Sequence, residues 1–187
     1  MATTQDRVPR GTQGGDSDSP RVKIRPAIPT DLDAIAELEL HSFSNPWHPD
    51  TFRSLLKQPR ALVLAAEDPI QGVVGYAVLW WVLDQGELAN LAVGEDQRGR
   101  GIGSSLLDRA VTHAMSQGVE SLFLEVRVSN ESALGLYKSR GFAQISIRRG
   151  YYQNPPEDAL VLVKHLVPAF RTESDGFGVE LKKNGED

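Results

Sequence analysis

Apolar residues recur at two spacings in the first part of the chain, and the two spacings predict different elements. Residues 22–27 form a short run typical of a strand. Thr30 and Asp33 then have the spacing of a capping pair, which predicts a helix that ends near residue 40. The buried stripe of this helix consists of Leu32, Ile35, Ala36 and Leu38.

Polar turns divide the middle of the chain into a second helix, three strands and a long third helix. Pro49 opens the second helix, over residues 49–57, because a proline nitrogen needs no partner in the first helical turn. Apolar and β-branched runs then predict strands over residues 61–67, 72–83 and 86–93. A helix-spaced stripe from Ile102 to Met115 predicts the third helix, which Gly118 terminates.

The last part of the chain predicts three more strands and a fourth helix. Residues 121–128 alternate apolar and other side chains, as a strand with one buried face does. Residues 130–139 predict a short helix, and residues 142–152 and 159–165 predict a closing hairpin. The order β-α-α-β-β-β-α-β-α-β-β is typical of an α+β fold, with a mixed central sheet of about seven strands flanked by about four helices.

Length and composition indicate one domain and exclude several classes of protein. We expect the folded domain over residues 21–168 of the 187, between a disordered N-terminal tail (1–20) and a flexible C-terminal tail (169–187). No apolar run reaches the roughly 20 residues that span a membrane, and no secretory signal is visible. We therefore expect a cytoplasmic protein with no membrane partner. The absence of cysteine excludes disulfides, thiolate metal sites and cysteine nucleophiles.

Charge and histidine positions narrow the expected partners. The net charge of −5 disfavours a direct nucleic-acid partner. This charge suits a cationic substrate such as an amine, although solubility alone explains it. The histidines are scattered without the spacing of metal ligands, so we expect no metal site; they are His41, His48, His113 and His165.

A glycine-rich segment separates the fourth predicted strand from the long helix. It reads Arg98-Gly99-Arg100-Gly101-Ile102-Gly103-Ser104. A helix N-terminus carries unpaired N–H groups and partial positive charge, and glycines let a phosphate approach the backbone closely. The segment therefore predicts an anion site, although a tight turn that merely begins a helix is the alternative.

The spacing of the glycines indicates which phosphate group fits. A mononucleotide loop needs a lysine after its last glycine, but Ser104 follows Gly103. A dinucleotide loop needs its third glycine one residue later than Gly103. The spacing Arg98-x-x-Gly101-x-Gly103 instead resembles the pyrophosphate-binding loop of the GNAT superfamily, whose members are acetyl-CoA-dependent N-acetyltransferases.

Acetyl transfer from a thioester to an amine benefits from a general base and a general acid. The amine is mostly protonated at pH 7, and the leaving thiolate needs a proton. Glu125 interrupts an apolar strand, where partial burial would raise the pKa of its carboxyl group; an ion pair with Arg127 or another cation is the alternative. Tyr137 is the candidate acid, and a core tyrosine with a satisfied hydroxyl is the alternative.

A longer block of residues makes the resemblance more specific. Leu124-Glu125-Val126-Arg127, Ser129-Asn130, Leu136-Tyr137 and Gly141-Phe142 resemble the corresponding block of the RimI family. These bacterial enzymes acetylate the N-terminal alanine of a small-subunit ribosomal protein. The run Ile147-Arg148-Arg149-Gly150-Tyr151-Tyr152 is similar, as is the segment from Phe43 to Phe52, and the match covers most of residues 22–166.

The resemblance implies a role for each matching residue. Glu125 would be the general base and Tyr137 the general acid. The acetyl-CoA site would consist of Leu91, Ala92, Val93, Arg98, Gly99, Arg100, Gly101, Ile102, Gly103, Ser104 and Asn130. The groove for a peptide N-terminus would involve Trp47, Arg149, Tyr151 and Tyr152. The implied partner is a protein N-terminus, such as that of a small-subunit ribosomal protein.

Two departures from the family pattern concern the substrate side. Residue 150 is glycine where a polar residue is usual, and the spacing from Phe43 to Pro46 is looser than in the family. Acetylation of lysine side chains or small amines therefore stays open as an alternative. A non-catalytic module that binds acetyl-CoA or a protein partner is a second alternative, which the presence of both Glu125 and Tyr137 disfavours.

Overall fold

The computed structural model of the protein describes residues 22–166. Both predicted tails lie outside these residues, so the domain boundaries stay predictions. Within residues 22–166, no helix combines the length and the apolar character needed to cross a membrane.

Seven strands form one sheet in the described part of the chain. In chain order they are β1 Lys23–Pro26, β2 Ala61–Asp68, β3 Gly72–Val82, β4 Gln85–Val93, β5 Ser121–Arg127, β6 Ala143–Gln153 and β7 Pro156–His165. Each coincides with a predicted strand to within a few residues. Along β5 the burial alternates strictly, as the sequence predicted, with Leu122, Leu124 and Val126 buried.

Four α-helices accompany the sheet within residues 22–166. They are α1 Leu32–Ser42, α2 Pro49–Leu55, α3 Ile102–Ser116 and α4 Glu131–Ser139. Pro49 is the first residue of α2, and Gly118 follows the end of α3 with a φ of 80°, both as predicted. The predicted α+β architecture is confirmed.

The predicted cap of the first helix is wrong. A 3-10 turn over Pro29–Asp31 precedes α1, and the helix begins at Leu32 without a hydrogen bond from a capping side chain. Asp31 accounts for the difference, because its carboxylate accepts the N–H of Ile28 at 2.8 Å and pairs with Arg25 at 2.6 Å. This ion pair fixes the turn, and the helix begins one residue later than a cap at Thr30 would place it.

The sheet has the spatial order β1-β2-β3-β4-β5-β7-β6. All neighbouring strands are antiparallel except β4 and β5, which are parallel. The parallel pairing begins at Gln85 and Ser121 and ends at Glu87 and Phe123. Both strands continue beyond that point, to Val93 and Arg127, so the sheet opens between them.

Helices cover both faces of the sheet and create two cores. On one face, α1 and α2 bury Leu32, Ile35, Phe52 and Leu55 against β2 and β3. On the other face, α3 buries an apolar stripe together with Tyr137 of α4. Burial of one large apolar side chain contributes about 1.5–3 kcal/mol. The two cores, one on each face, therefore hold the sheet in place around the opening between β4 and β5.

Candidate active site

A large cleft follows the opening between β4 and β5. Its volume is about 1300 Å³, larger than the roughly 300–1,000 Å³ of a site for one small ligand. The glycine-rich segment and the start of α3 line one part of it, and α1, the segment after α1 and the β6–β7 turn line another. The cleft therefore has room for two substrates that meet between the strands.

The start of α3 has the structure of an anion site. Gly99 and Gly101 have φ values of 76° and 79°, which residues with a side chain rarely adopt. No side chain caps the helix, and its first bond runs from the N–H of Ser105 to the carbonyl of Gly101 at 3.0 Å. The preceding N–H groups at Ile102, Gly103 and Ser104 have no partner within the helix. All three residues line the cleft.

Gly103 leaves the N-terminus of α3 without a side chain where it borders the cleft. A Cβ atom at this position would lie 3.6 Å from Leu136 Cδ2 and 3.7 Å from Leu91 Cδ2, which are ordinary van der Waals contacts. Gly103 also has ordinary helical backbone geometry. Neither packing nor backbone conformation therefore demands glycine here, and what glycine provides is close access to the backbone for an anion.

The two arginines of the glycine-rich segment lie differently. Arg98 lines the cleft, and its Nε donates to the carbonyl oxygen of Val93 at 3.2 Å. Arg100 does not line it: its guanidinium bonds to Gln97 and lies 3.8 Å from Asp68 Oδ2 at the β2–β3 turn. The side chain of Arg100 thus holds the segment in place, and only its backbone remains a candidate for phosphate binding.

Glu125 combines partial burial with negative charge nearby. Its side chain is 16% exposed, and Arg148 Nη1 lies 3.0 Å from its Oε1. Burial and the neighbouring charge of Glu87 raise the pKa of Glu125, and Arg148 counteracts part of this effect. Glu125 therefore does form an ion pair with a cation, the alternative that the sequence left open. Its partner is the exposed side chain of Arg148. Arg127 pairs with Glu157 instead.

Tyr137 is a buried tyrosine that reaches the cleft from α4. Its ring packs 5.8 Å from the ring of Phe142, and the residue is 7% exposed. Burial, with a smaller contribution from Tyr152, raises the pKa of Tyr137 to about 12. The hydroxyl therefore holds its proton at neutral pH, as a general acid must. Its packing also agrees with a core position. Tyr137 is therefore both a core residue and a candidate general acid.

Asn130 has a structural bond in addition to its position in the cleft. It is the N-cap of α4, and its Oδ1 accepts the N–H of Ala133 at 3.1 Å. This bond orients the side chain, which lines the cleft beside Ser129.

Two stacked indole rings form part of the wall, one from Trp47 in the segment after α1 and one from Trp80 of β3. The ring centroids of Trp47 and Trp80 lie 5.7 Å apart, and the two ring planes enclose an angle of 8°. Trp80 Nε1 donates to Glu87 Oε2 at 3.1 Å. The neighbouring Trp81 is buried in the core on the opposite face of the sheet, as the alternation of a strand requires.

The opposite wall contains the paired tyrosines of β6. Tyr151 and Tyr152 both line the cleft, and their rings meet edge to face at 5.1 Å. Arg149 does not: its side chain is 86% exposed and lies 3.6 Å from Asp158. Within the predicted peptide groove, the structure therefore brings together Trp47, Tyr151 and Tyr152 and leaves the side chain of Arg149 outside.

Glu39 is a cleft residue that sequence reasoning missed. This carboxylate on α1 is 1% exposed. It accepts the backbone N–H of Trp47 at 2.9 Å, the side-chain amide of Asn90 at 3.0 and 3.2 Å, and the hydroxyl of Tyr76. Burial raises the pKa of Tyr76, which keeps that hydroxyl a donor. The sequence contained one signal for it, because Glu39 is a charged residue on the helix face that Leu32 and Ile35 make apolar.

Together, these positions form one cleft that joins a helix N-terminus suited to an anion with a carboxylate and a tyrosine whose pKa values are raised. The profile of the acetyltransferase (GNAT) family matches residues 32–142 of the chain. The protein therefore belongs to the GNAT acetyltransferase family.

Similar proteins narrow the subgroup. The [ribosomal protein bS18]-alanine N-acetyltransferase of Salmonella typhimurium is 37% identical over 136 residues, which are 71% of this chain and 90% of the relative. The Escherichia coli enzyme of that name is 35% identical over 135 residues, with the same coverage. The crystal structure of the ribosomal-protein-S18-alanine N-acetyltransferase from Escherichia coli matches with a TM-score of 0.72 and 32% identity, covering 81% of this chain and 98% of that one. The resemblance to the RimI family is confirmed.

Proposed function

We propose that the protein transfers the acetyl group of acetyl-CoA to the α-amino group of a protein N-terminus. The observation that carries this proposal is the cleft between β4 and β5, in which the N-terminus of α3, Glu125 and Tyr137 occur together. When bound, acetyl-CoA supplies the acetyl thioester. The residues of the protein then need only to bind, orient and exchange protons.

The start of α3 suits the pyrophosphate of CoA. The unpaired N–H groups of Ile102, Gly103 and Ser104, with the helix dipole, favour an anion there. Gly103 places no side chain between this helix N-terminus and the cleft, which lets a phosphate approach the backbone closely. Beyond its pairing with β5, β4 offers the backbone of Leu91, Ala92 and Val93 along the cleft.

Glu125 and Tyr137 would divide the proton transfers. Glu125 would accept the proton of the attacking amine, directly or through water, and its raised pKa brings it closer to that of the amine. Tyr137 would donate a proton to the departing sulfur, because the pKa of about 12 keeps it protonated. Neither step requires a covalent intermediate on the protein.

The two similar enzymes named above support an α-amine as acceptor, and an N-terminal alanine in particular. The size of the cleft agrees with this choice, because a peptide end needs more space than a small amine. A ribosomal protein as acceptor would also suit the cytoplasmic location that the sequence predicts. A lysine side chain is the alternative acceptor that a test must distinguish.

The test compares three acceptors with purified protein and acetyl-CoA. They are a lysine-free peptide that begins Ala-Arg, a peptide with a blocked N-terminus and an internal lysine, and a polyamine. We expect acetylation of the first alone, detected by mass spectrometry. Preference for the blocked peptide or the polyamine would contradict the proposed acceptor. Thermal stabilisation by acetyl-CoA without any turnover would instead indicate a binding module.

A further inference from the structure

The guanidinium of Arg127 joins two walls of the cleft, the segment after α1 and the β6–β7 turn. The acceptor peptide would lie between them. Its Nη2 donates to Ser44 Oγ at 2.9 Å and to the carbonyl of Asn154 at 3.1 Å. Its Nη1 donates to the carbonyl of Pro155 at 3.2 Å and to Glu157 Oε2 at 3.0 Å. Ser44 follows α1, whereas the other three partners belong to the β6–β7 turn and the start of β7.

The same guanidinium also orients an aromatic ring. Its Cζ lies 4.1 Å from the centroid of the Tyr152 ring, which lines the cleft. A planar guanidinium can stack on a ring and donate several in-plane hydrogen bonds at once, whereas an ammonium group cannot. The arrangement therefore uses properties that only arginine has.

Glu157 extends this set of contacts to Ser129, just before α4. Its second oxygen, Oε1, accepts the backbone N–H of Ser129 at 2.6 Å. Its bonds to Ser129 and to Arg127 lower the pKa of Glu157, so this carboxylate is charged at neutral pH. The side chains of Arg127 and Glu157 are 21% and 18% exposed, which strengthens their interaction relative to a fully solvated pair.

We propose that Arg127 is a positioning residue that sets the distance between residues 43–48 and residues 154–155, and with it the width of the groove for the acceptor peptide. This inference rests on the proposed function for its choice of acceptor. Arg127 does not act on the reacting atoms. It acts through Ser44, Tyr152 and the β6–β7 turn, so it affects how the peptide binds and leaves acetyl-CoA binding unchanged.

The kinetic test uses Arg127→Gln, Ser44→Ala and the double variant, with Arg109→Gln on the exposed face of α3 as the matched control. Ser44 is exposed, so its loss leaves the fold intact. We expect Arg127→Gln to raise the KM for the Ala-Arg peptide about tenfold. Of the four hydrogen bonds that it removes, only the one to Ser44 connects the two walls, and one charge-assisted hydrogen bond corresponds to about that factor. The KM for acetyl-CoA and the kcat at saturating peptide stay within about twofold. Ser44→Ala adds nothing in the Arg127→Gln background, because both changes remove the same link.

An equal rise in both KM values, or additive effects of the two substitutions, would overturn the proposal. Hydrogen exchange provides a readout that needs no acceptor. Arg127→Gln should accelerate amide exchange in residues 43–48 and at Asn154, since Pro155 has no amide hydrogen, and Ser44→Ala should do so in residues 43–48 alone. Unchanged exchange in residues 43–48 and at Asn154 also overturns the positioning role. If the wild-type protein acetylates no peptide N-terminus, the proposed function fails, while hydrogen exchange still decides the role of Arg127.

Discussion

Replacement of Glu39 by leucine tests whether its buried carboxylate holds α1, the following segment and the sheet together. The substitution removes the acceptors for the N–H of Trp47, the amide of Asn90 and the hydroxyl of Tyr76. A buried donor that loses its partner costs about 1–3 kcal/mol. Tyr76 is 0% exposed and cannot be rehydrated, whereas Asn90 borders the cleft.

We therefore expect Glu39→Leu to lower the free energy of unfolding by about 3 kcal/mol, which for a chain of this size corresponds to about 6–12 °C in Tm. Urea denaturation followed by circular dichroism measures it. Glu37→Leu on the exposed face of the same helix is the matched control, with an expected change under about 0.5 kcal/mol. The double variant with Tyr76→Phe should recover part of the loss, because donor and acceptor then disappear together. If Glu39→Leu and Glu37→Leu unfold at the same urea concentration, Glu39 does not connect these elements.

Three further predictions concern the reaction. Glu125→Gln should lower kcat about 100-fold or more. It should also remove the acidic limb of the pH–rate profile. In the wild type this limb lies above the ordinary carboxyl pKa, because burial and Glu87 raise the pKa of Glu125. An unchanged profile of the variant would exclude Glu125 as the base. Tyr137→Phe should reduce kcat by a similar factor while Tm stays the same, because the ring still packs against Phe142; full activity would exclude the acid role. Gly103→Val should abolish the thermal stabilisation by acetyl-CoA, because a Cβ there already contacts Leu91 and Leu136 and the two γ-methyl groups of valine would crowd the N-terminus of α3. Stabilisation equal to that of the wild type would contradict the proposed position of the cofactor.

Local patterns sufficed for the elements and for the glycine-rich part of the cleft. The alternation along β5 depends on neighbours two residues apart, and the glycines at 99, 101 and 103 act through their own backbone or through missing atoms. Such features are present in a short stretch of sequence. They could therefore be predicted without knowledge of the tertiary structure.

Side-chain partners from distant parts of the chain could not be predicted in this way. Glu39 bonds to Tyr76 and Asn90, 37 and 51 residues away, and no local spacing encodes that network. Thr30 failed as a cap because the ion pair of Asp31 and Arg25 shapes the turn. The direction of an arginine such as Arg100 likewise depends on which carboxylate the tertiary structure brings near it.

The insertion of β7 between β5 and β6 has a consequence for the order in which the protein assembles. Strands β2, β3 and β4 follow one another through short turns, so they can pair as soon as they leave the ribosome. β5 must wait for β7, because Ser121 pairs with His165, 44 residues later. Until β7 is synthesised, β5 lacks its antiparallel neighbour. A nascent chain would therefore complete the cleft only after β7 has left the ribosome, and truncation before β7 would leave the strand that carries Glu125 with an unpaired edge.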